Sequence, residues 1–240
     1  VVFCIYLGSS LSFAQEELLN FSDTEKSSKE EVLSVRRILE FWKDHEVDLV
    51  LSQIENFLET YQDSDFKEGL LIIKGHALFE KQEYKESLNT YQKISSEENQ
   101  EKVQANILQI LFLLERYQDV VNITTKLLED ESQDTFILYI HAQSMFRIVT
   151  NLQGNQEKSF MEIIGYFEKL IKFENYRSKV LLNLAESYKA VENYQRSGEL
   201  YQELITIYPQ YTQKLNFQSA VCYSFIDKEN FDNFTKVITQ

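Results

Sequence analysis

The chain has 240 residues, with 38 acidic and 24 basic side chains and a formal net charge of -14. That balance excludes ordinary binding to nucleic-acid phosphates or anionic membrane surfaces, both of which require cations on the protein. One proline and six glycines are too few to turn the corners of a sheet, so a composition that is 43% hydrophobic points to long helices around a substantial core.

Residues 1–14, VVFCIYLGSSLSFA, carry no charge. They are too few to span a bilayer, which takes about 20 residues of helix. Ser12 and Ala14 hold the small-residue positions of an export cleavage site. The segment is therefore expected to be a signal peptide lacking its basic start and cut before Gln15. Cys4 is badly placed for lipidation, because Phe3 precedes it and the apolar run continues past it. After cleavage Cys222 is the one cysteine left; within SAVCYSF it is expected to be a small packing residue. Residues 15–30 read as a polar linker.

From residue 31 to 240 the pattern is helical and repeated. GHALFEKQEYKESLNTYQKI at 75–94 and LAESYKAVENYQRSGELYQELITIYP at 184–209 share one frame. A small residue, Gly75 or Ala185, is followed three positions on by Leu78 or Tyr188 and nine on by Tyr84 or Tyr194. Ser87 or Ser197 comes next, then Tyr91 or Tyr201. The frame also fits Leu108, Leu111, Tyr117 and Val120, and again Cys222, Phe225, Phe231 and Phe234. Tyr84 and Tyr117 are 33 residues apart, whereas Tyr117 and Tyr194 are 77 apart. A further unit with an insertion must lie between the latter pair. Ala142 and Met145 mark its first helix, Ile163, Phe167 and Leu170 its second, and VTNLQGNQE at 149–157 the insertion. A degenerate unit with Ile38, Phe41, Val50, Ile54 and Phe57 comes first. The expected units are 31–63, 68–99, 101–132, 135–175, 178–209 and an incomplete 215–240.

The frame resembles the tetratricopeptide repeat family, whose spacing of small, aromatic and proline positions it follows. The best match runs through Leu184, Ala185, Tyr188, Tyr194, Ser197, Tyr201, Leu204 and Pro209. Pro209 takes the slot just past the second helix, where a residue that cannot continue a helix enforces the stop. The repeat style at 57–94 and 176–211 is similar to that of periplasmic tetratricopeptide proteins of Gram-negative bacteria. The expected fold is all-α: about six antiparallel hairpins stacked into a right-handed superhelical solenoid, because no single hairpin can bury its own apolar stripe. Gly75, Ala142 and Ala185 let paired helices approach, and Tyr84, Tyr91, Tyr117, Tyr188, Tyr194 and Tyr201 pack between them.

The resemblance implies a ligand groove on the concave face of the first helices. Its positions fall on His76 and Phe79, then Asn106, Gln109 and Phe112, then Asn183, Glu186 and Lys189. Ile72, Ala105 and Leu182 stand where the family's carboxylate clamp needs lysine, so an extended peptide or a partner helix is the expected ligand. His45, His76 and His141 are scattered, and no phosphate loop or nucleophile elbow occurs, so no catalytic centre, cofactor or metal is expected. The resulting expectation is an exported, periplasmic or outer-membrane-associated scaffold for envelope proteins, with no transmembrane helix. The alternatives are a regulatory or targeting domain of a larger envelope enzyme and, against the leader, a cytosolic secretion chaperone. Phe231, Phe234, Val237 and Ile238 recur with no cap after them, so a longer natural chain or a homo-oligomer through that edge is expected.

Overall fold

The computed structural model describes residues 28–129 and 134–226. The signal peptide, most of the linker, and the C-terminal edge at Phe231 and Phe234 lie outside the described residues. Among the described residues, eleven α-helices and one 3-10 turn account for the architecture, and no strand occurs. The chain divides into two compact units at Arg116 and Tyr117.

The first unit holds α1 (Lys29–Lys43), α2 (Val47–Thr60), α3 (Lys67–Glu80), α4 (Tyr84–Tyr91) and α5 (Glu97–Leu113). Helix α1 starts in a capping box: Ser28 Oγ accepts from Glu31 N–H at 3.2 Å, and Glu31 accepts from Ser28 N–H at 2.7 Å. Its apolar stripe, Val35, Ile38, Leu39 and Trp42, is buried against Val50, Ile54 and Phe57 of α2 and Phe66, Leu70, Ile73 and Ala77 beyond. Phe41 packs against that core and is only partly buried. Helix α3, KEGLLIIKGHALFE, is apolar around most of its circumference and touches α2, α4 and α5, as a helix of that composition must.

Glu68 in the first turn of α3 ties that helix to the start of α5. Its carboxylate accepts from Ser95 N–H at 2.8 Å, Ser96 N–H at 3.0 Å and Asn99 Nδ2 at 2.9 Å, and from both serine hydroxyls. Partial burial pushes its pKa up, but these donors outweigh it and hold the group far below the usual carboxylate range.

The second unit holds α6 (Tyr117–Glu129), α7 (Thr135–Thr150), α8 (Glu157–Leu170), α9 (Glu174–Ala190), α10 (Tyr194–Ile207), the turn Pro209–Tyr211 and α11 (Thr212–Ile226). Each helix packs on the next in chain order. Ala142, Ile163, Phe167, Leu170, Val180, Leu184, Ala185 and Tyr201 are fully buried in one core with Cys222. Pro209, itself exposed, opens the 3-10 turn that leads into α11.

Four hairpin turns are built alike. His45, Gln82, Glu115 and Glu192 take φ of 58°, 61°, 58° and 59°. In each, the next residue's N–H reaches back five positions: Glu46 to Phe41 at 3.0 Å, Glu83 to Leu78 at 2.9 Å, Arg116 to Leu111 at 2.8 Å and Asn193 to Tyr188 at 2.9 Å. This is the Schellman stop, here with side-chain-bearing residues in the left-handed position that usually takes glycine. The hairpin of α7 and α8 departs from it. Residues 151–156 form a longer loop, with Gly154 at φ +96°.

Candidate functional site

The residues assigned to the groove separate into two groups. In the first unit His76 is 2% exposed, Phe79 8%, Asn106 3% and Gln109 2%; only Phe112 is half-exposed. These four are packing positions, which corrects the expectation that they face a ligand. For His76 and Phe79 the reason is the lack of a free side on α3. Phe79 lies edge-on to Tyr84 at 5.4 Å between ring centres. The His76 ring is edge-on to Tyr91, with Nδ1 2.8 Å from the tyrosine hydroxyl, and its Nε2 meets no protein partner. Burial drops the His76 pKa to about 4.

In the second unit Asn183, Glu186 and Lys189 are half-exposed on one face of α9 and join a polar row across three first helices. Asn183 Nδ2 donates to Gln143 Oε1 of α7 at 2.7 Å. Lys189 Nζ lies 2.9 Å from Glu186 Oε2 and donates to Gln218 Oε1 of α11 at 3.1 Å. Glu186 also accepts from the buried Tyr201 hydroxyl, and the Lys189 ammonium sits 5.9 Å from the centre of the Tyr201 ring. Burial first, then the Glu186 carboxylate, push the Tyr201 pKa far up, so it remains a neutral donor. Leu182, one turn from Glu186, is 47% exposed beside this row. The arrangement offers amide, carboxylate and ammonium groups next to apolar surface.

Gln143 and Gln218 were missed in the sequence. Gln143 was within reach, because it follows Ala142 as His76 follows Gly75 and Glu186 follows Ala185. Among the packing positions, Gly75, Tyr91, Ala142, Ala185 and Tyr201 are buried. Tyr84, Tyr117, Tyr188 and Tyr194 are only partly so. Tyr188 keeps its hydroxyl on Glu168 at 3.0 Å, and Tyr194 stacks on Phe225 at 4.5 Å. Gly75 is a steric necessity: a Cβ there would stand 2.6 Å from Tyr91 Cζ.

No chemistry assembles elsewhere among the described residues. Cys222 Sγ donates to Ser197 Oγ at 3.4 Å, and burial raises its pKa, which suits packing and not nucleophilic attack. His141 Nδ1 is bonded to Thr124 Oγ1 at 2.8 Å, and burial lowers its pKa to about 4. No group of three His, Cys, Asp or Glu side chains is placed to hold a metal ion.

No protein-family model matches the chain, and no curated protein does. Among solved structures it is similar to a tetratricopeptide repeat protein from Parabacteroides merdae ATCC 43184. The two share 15% identity at a TM-score of 0.57, over 95% of this chain and 80% of that one. The fold is that of a tetratricopeptide-repeat protein. A match to the MamA protein covers 94% of this chain and 88% of that one at 11% identity, but its TM-score of 0.33 carries no argument. At these identities the likeness establishes the tetratricopeptide-repeat fold alone. The polar row of α7, α9 and α11 is a feature of this chain.

Proposed function

We propose that this tetratricopeptide-repeat chain is a non-catalytic scaffold that binds protein partners of the cell envelope through the first-helix face of its second unit. The row of half-exposed Asn183, Glu186, Lys189 and Gln218, backed by buried Gln143 and lying beside exposed Leu182, carries the reading. The row presents amide donors and acceptors to an extended peptide or a partner helix, and Leu182 offers it an apolar contact. Export is supported by the uncharged stretch at 1–14. No helix among the described residues is long and apolar enough to cross a membrane.

A benzophenone amino acid at Leu182, with one at exposed Thr206 on α10 as the control, tests the reading in the native host. Adducts with envelope proteins are expected from position 182 and not from 206. Equal capture from both positions, or none from 182, overturns it.

A further inference from the structure

We infer that the insertion in the α7–α8 hairpin builds a second docking site, a cleft for a lysine or arginine side chain carried on an apolar segment of a protein partner. This rests on the scaffold reading above but uses a different surface. The other described turns between first and second helices close in a Schellman stop. Here the loop 151–156 stands off instead, and between it and the α9–α10 turn lies a cleft of about 600 Å³. Val149, 6% exposed, forms its floor with Phe160 and Val191, and Leu152 stands at its edge, 53% exposed.

The mouth of the cleft is anionic. Glu157 and Glu192 line it and are exposed, and no lysine, arginine or histidine lies among its lining residues. Two helices also end on it, α7 at Thr150 and α9 at Ala190. The carbonyl ends of helices carry partial negative charge that favours a cation. The α8 N-terminus opposes this in part, and Asn155 Oδ1 takes up its first N–H, that of Glu157, at 2.9 Å. The Glu192 backbone is held at φ 59° by its N–H bond to the Lys189 carbonyl at 3.1 Å, which fixes where its side chain leaves the turn. Val149, Leu152, Phe160 and Val191 offer apolar contact to a methylene stem, and Glu157 and Glu192 offer carboxylates to a cationic head. The two carboxylates come from separate elements and form no metal cluster.

Titration of the ¹⁵N-labelled full chain with acetyl-Leu-Arg-Leu-amide tests the site. Amide shifts are expected at 149–157 and 190–192. Binding should weaken about tenfold with acetyl-Leu-Gln-Leu-amide, or with the Glu157→Gln and Glu192→Gln double variant, as for a lost charge-assisted contact. No shifts there, equal affinity for both peptides, or spermidine binding as tightly as the arginine peptide overturns the proposal. Shifts confined to the row at 143, 183, 186 and 218 also overturn it and leave the scaffold reading standing. Cleft binding without cross-linking at Leu182 sinks the scaffold face alone.

Discussion

The second and fifth hairpins use the same four positions for opposite ends. Ser87 and Ser197 donate to the carbonyls of Gly75 and Ala185 at 2.7 and 2.8 Å, tying second helix to first in both. Tyr91 and Tyr201 each bring a hydroxyl to the residue after the small one. That residue is His76 in one hairpin and Glu186 in the other. His76 is neutral and sealed in, whereas Glu186 stays half-exposed and engages Lys189. The skeleton of the repeat thus fixes where the tyrosine hydroxyl goes. One side chain accompanies whether the face is closed or left available.

Deleting the tyrosines should give the largest effect and tests the comparison most directly. Tyr91→Ala and Tyr201→Ala each empty a fully buried ring site, for a loss of ~3–5 kcal/mol. Tyr91→Ala should be the worse of the two. It leaves both ring nitrogens of His76 unpartnered in the interior, while Glu186 retains Lys189 and solvent. Urea denaturation of the two variants decides it, and equal losses would break the distinction between the sealed and the open hairpin.

Acid should act through the sealed hairpin. The folded pKa of His76 is about 4, below the ordinary imidazole value of 6.5, because burial disfavours its charged form. Its neutral state therefore supports folding fully above pH ~6.5, and that support is lost as pH falls toward ~4, where the folded state also takes up the proton. Tyr91 is the titratable side chain in contact with the ring, and no acidic group is bonded to it. Between pH 7 and pH 5 the loss should be about 2 kcal/mol. His141 is lowered in the same direction and adds a slope of the same sign. The measurement is thus the difference between wild type and His76→Gln, which should lose its share of the pH dependence. An unchanged slope would show that His76 does not carry it.

How much of this was legible beforehand follows from what the repeat encodes. Ile163, Phe167 and Leu170 were marked as lining a second helix from periodicity, and all three are fully buried, because an apolar stripe at helical spacing has to find a partner. The fold class could be read for the same reason. The face of the first helices was less legible. His76 and Glu186 hold equivalent slots, yet their burial depends on the neighbours of each helix, which the slot does not record. Gln218 meets Lys189 across 29 positions of sequence, a pairing no local spacing announces. The Schellman turns went unread because the usual glycine is replaced by His45, Gln82, Glu115 and Glu192.

Removing the cation of the open hairpin should have a smaller effect. Read as a sequence position, Lys189 is an ordinary surface residue, but in place it bridges Glu186, Gln218 and the Tyr201 ring with its side chain 30% exposed. Lys189→Ala should therefore cost about 0.5–1 kcal/mol, the upper range for a partly screened pair. The loss should shrink in high salt, as an ion pair near solvent requires. A salt-independent loss would show that the methylene stem matters and the charge does not.

The smallest effect should be a gain. Gln82 and Glu192 hold φ of 61° and 59° in the two hairpins compared, and a side chain in that region meets its own backbone at a cost of ~1–2 kcal/mol. Glycine relieves the clash, but it adds unfolded-state freedom worth ~0.4–1 kcal/mol. The net stabilisation of Gln82→Gly and of Glu192→Gly should be a few tenths to about 1 kcal/mol in each hairpin. Similar gains are expected because both turns carry the same hydrogen bonds, Gln82 N–H to Phe79 at 2.9 Å and Glu192 N–H to Lys189 at 3.1 Å. The functional consequences should differ. Gln82 lines no cleft identified in the first unit, whereas Glu192 is one of the two carboxylates at the mouth of the insertion cleft. Thermal melts should therefore move the same way for both variants, while arginine-peptide binding falls only for Glu192→Gly. A destabilised Glu192→Gly would mean that the carboxylate stabilises its turn by more than its backbone strain costs.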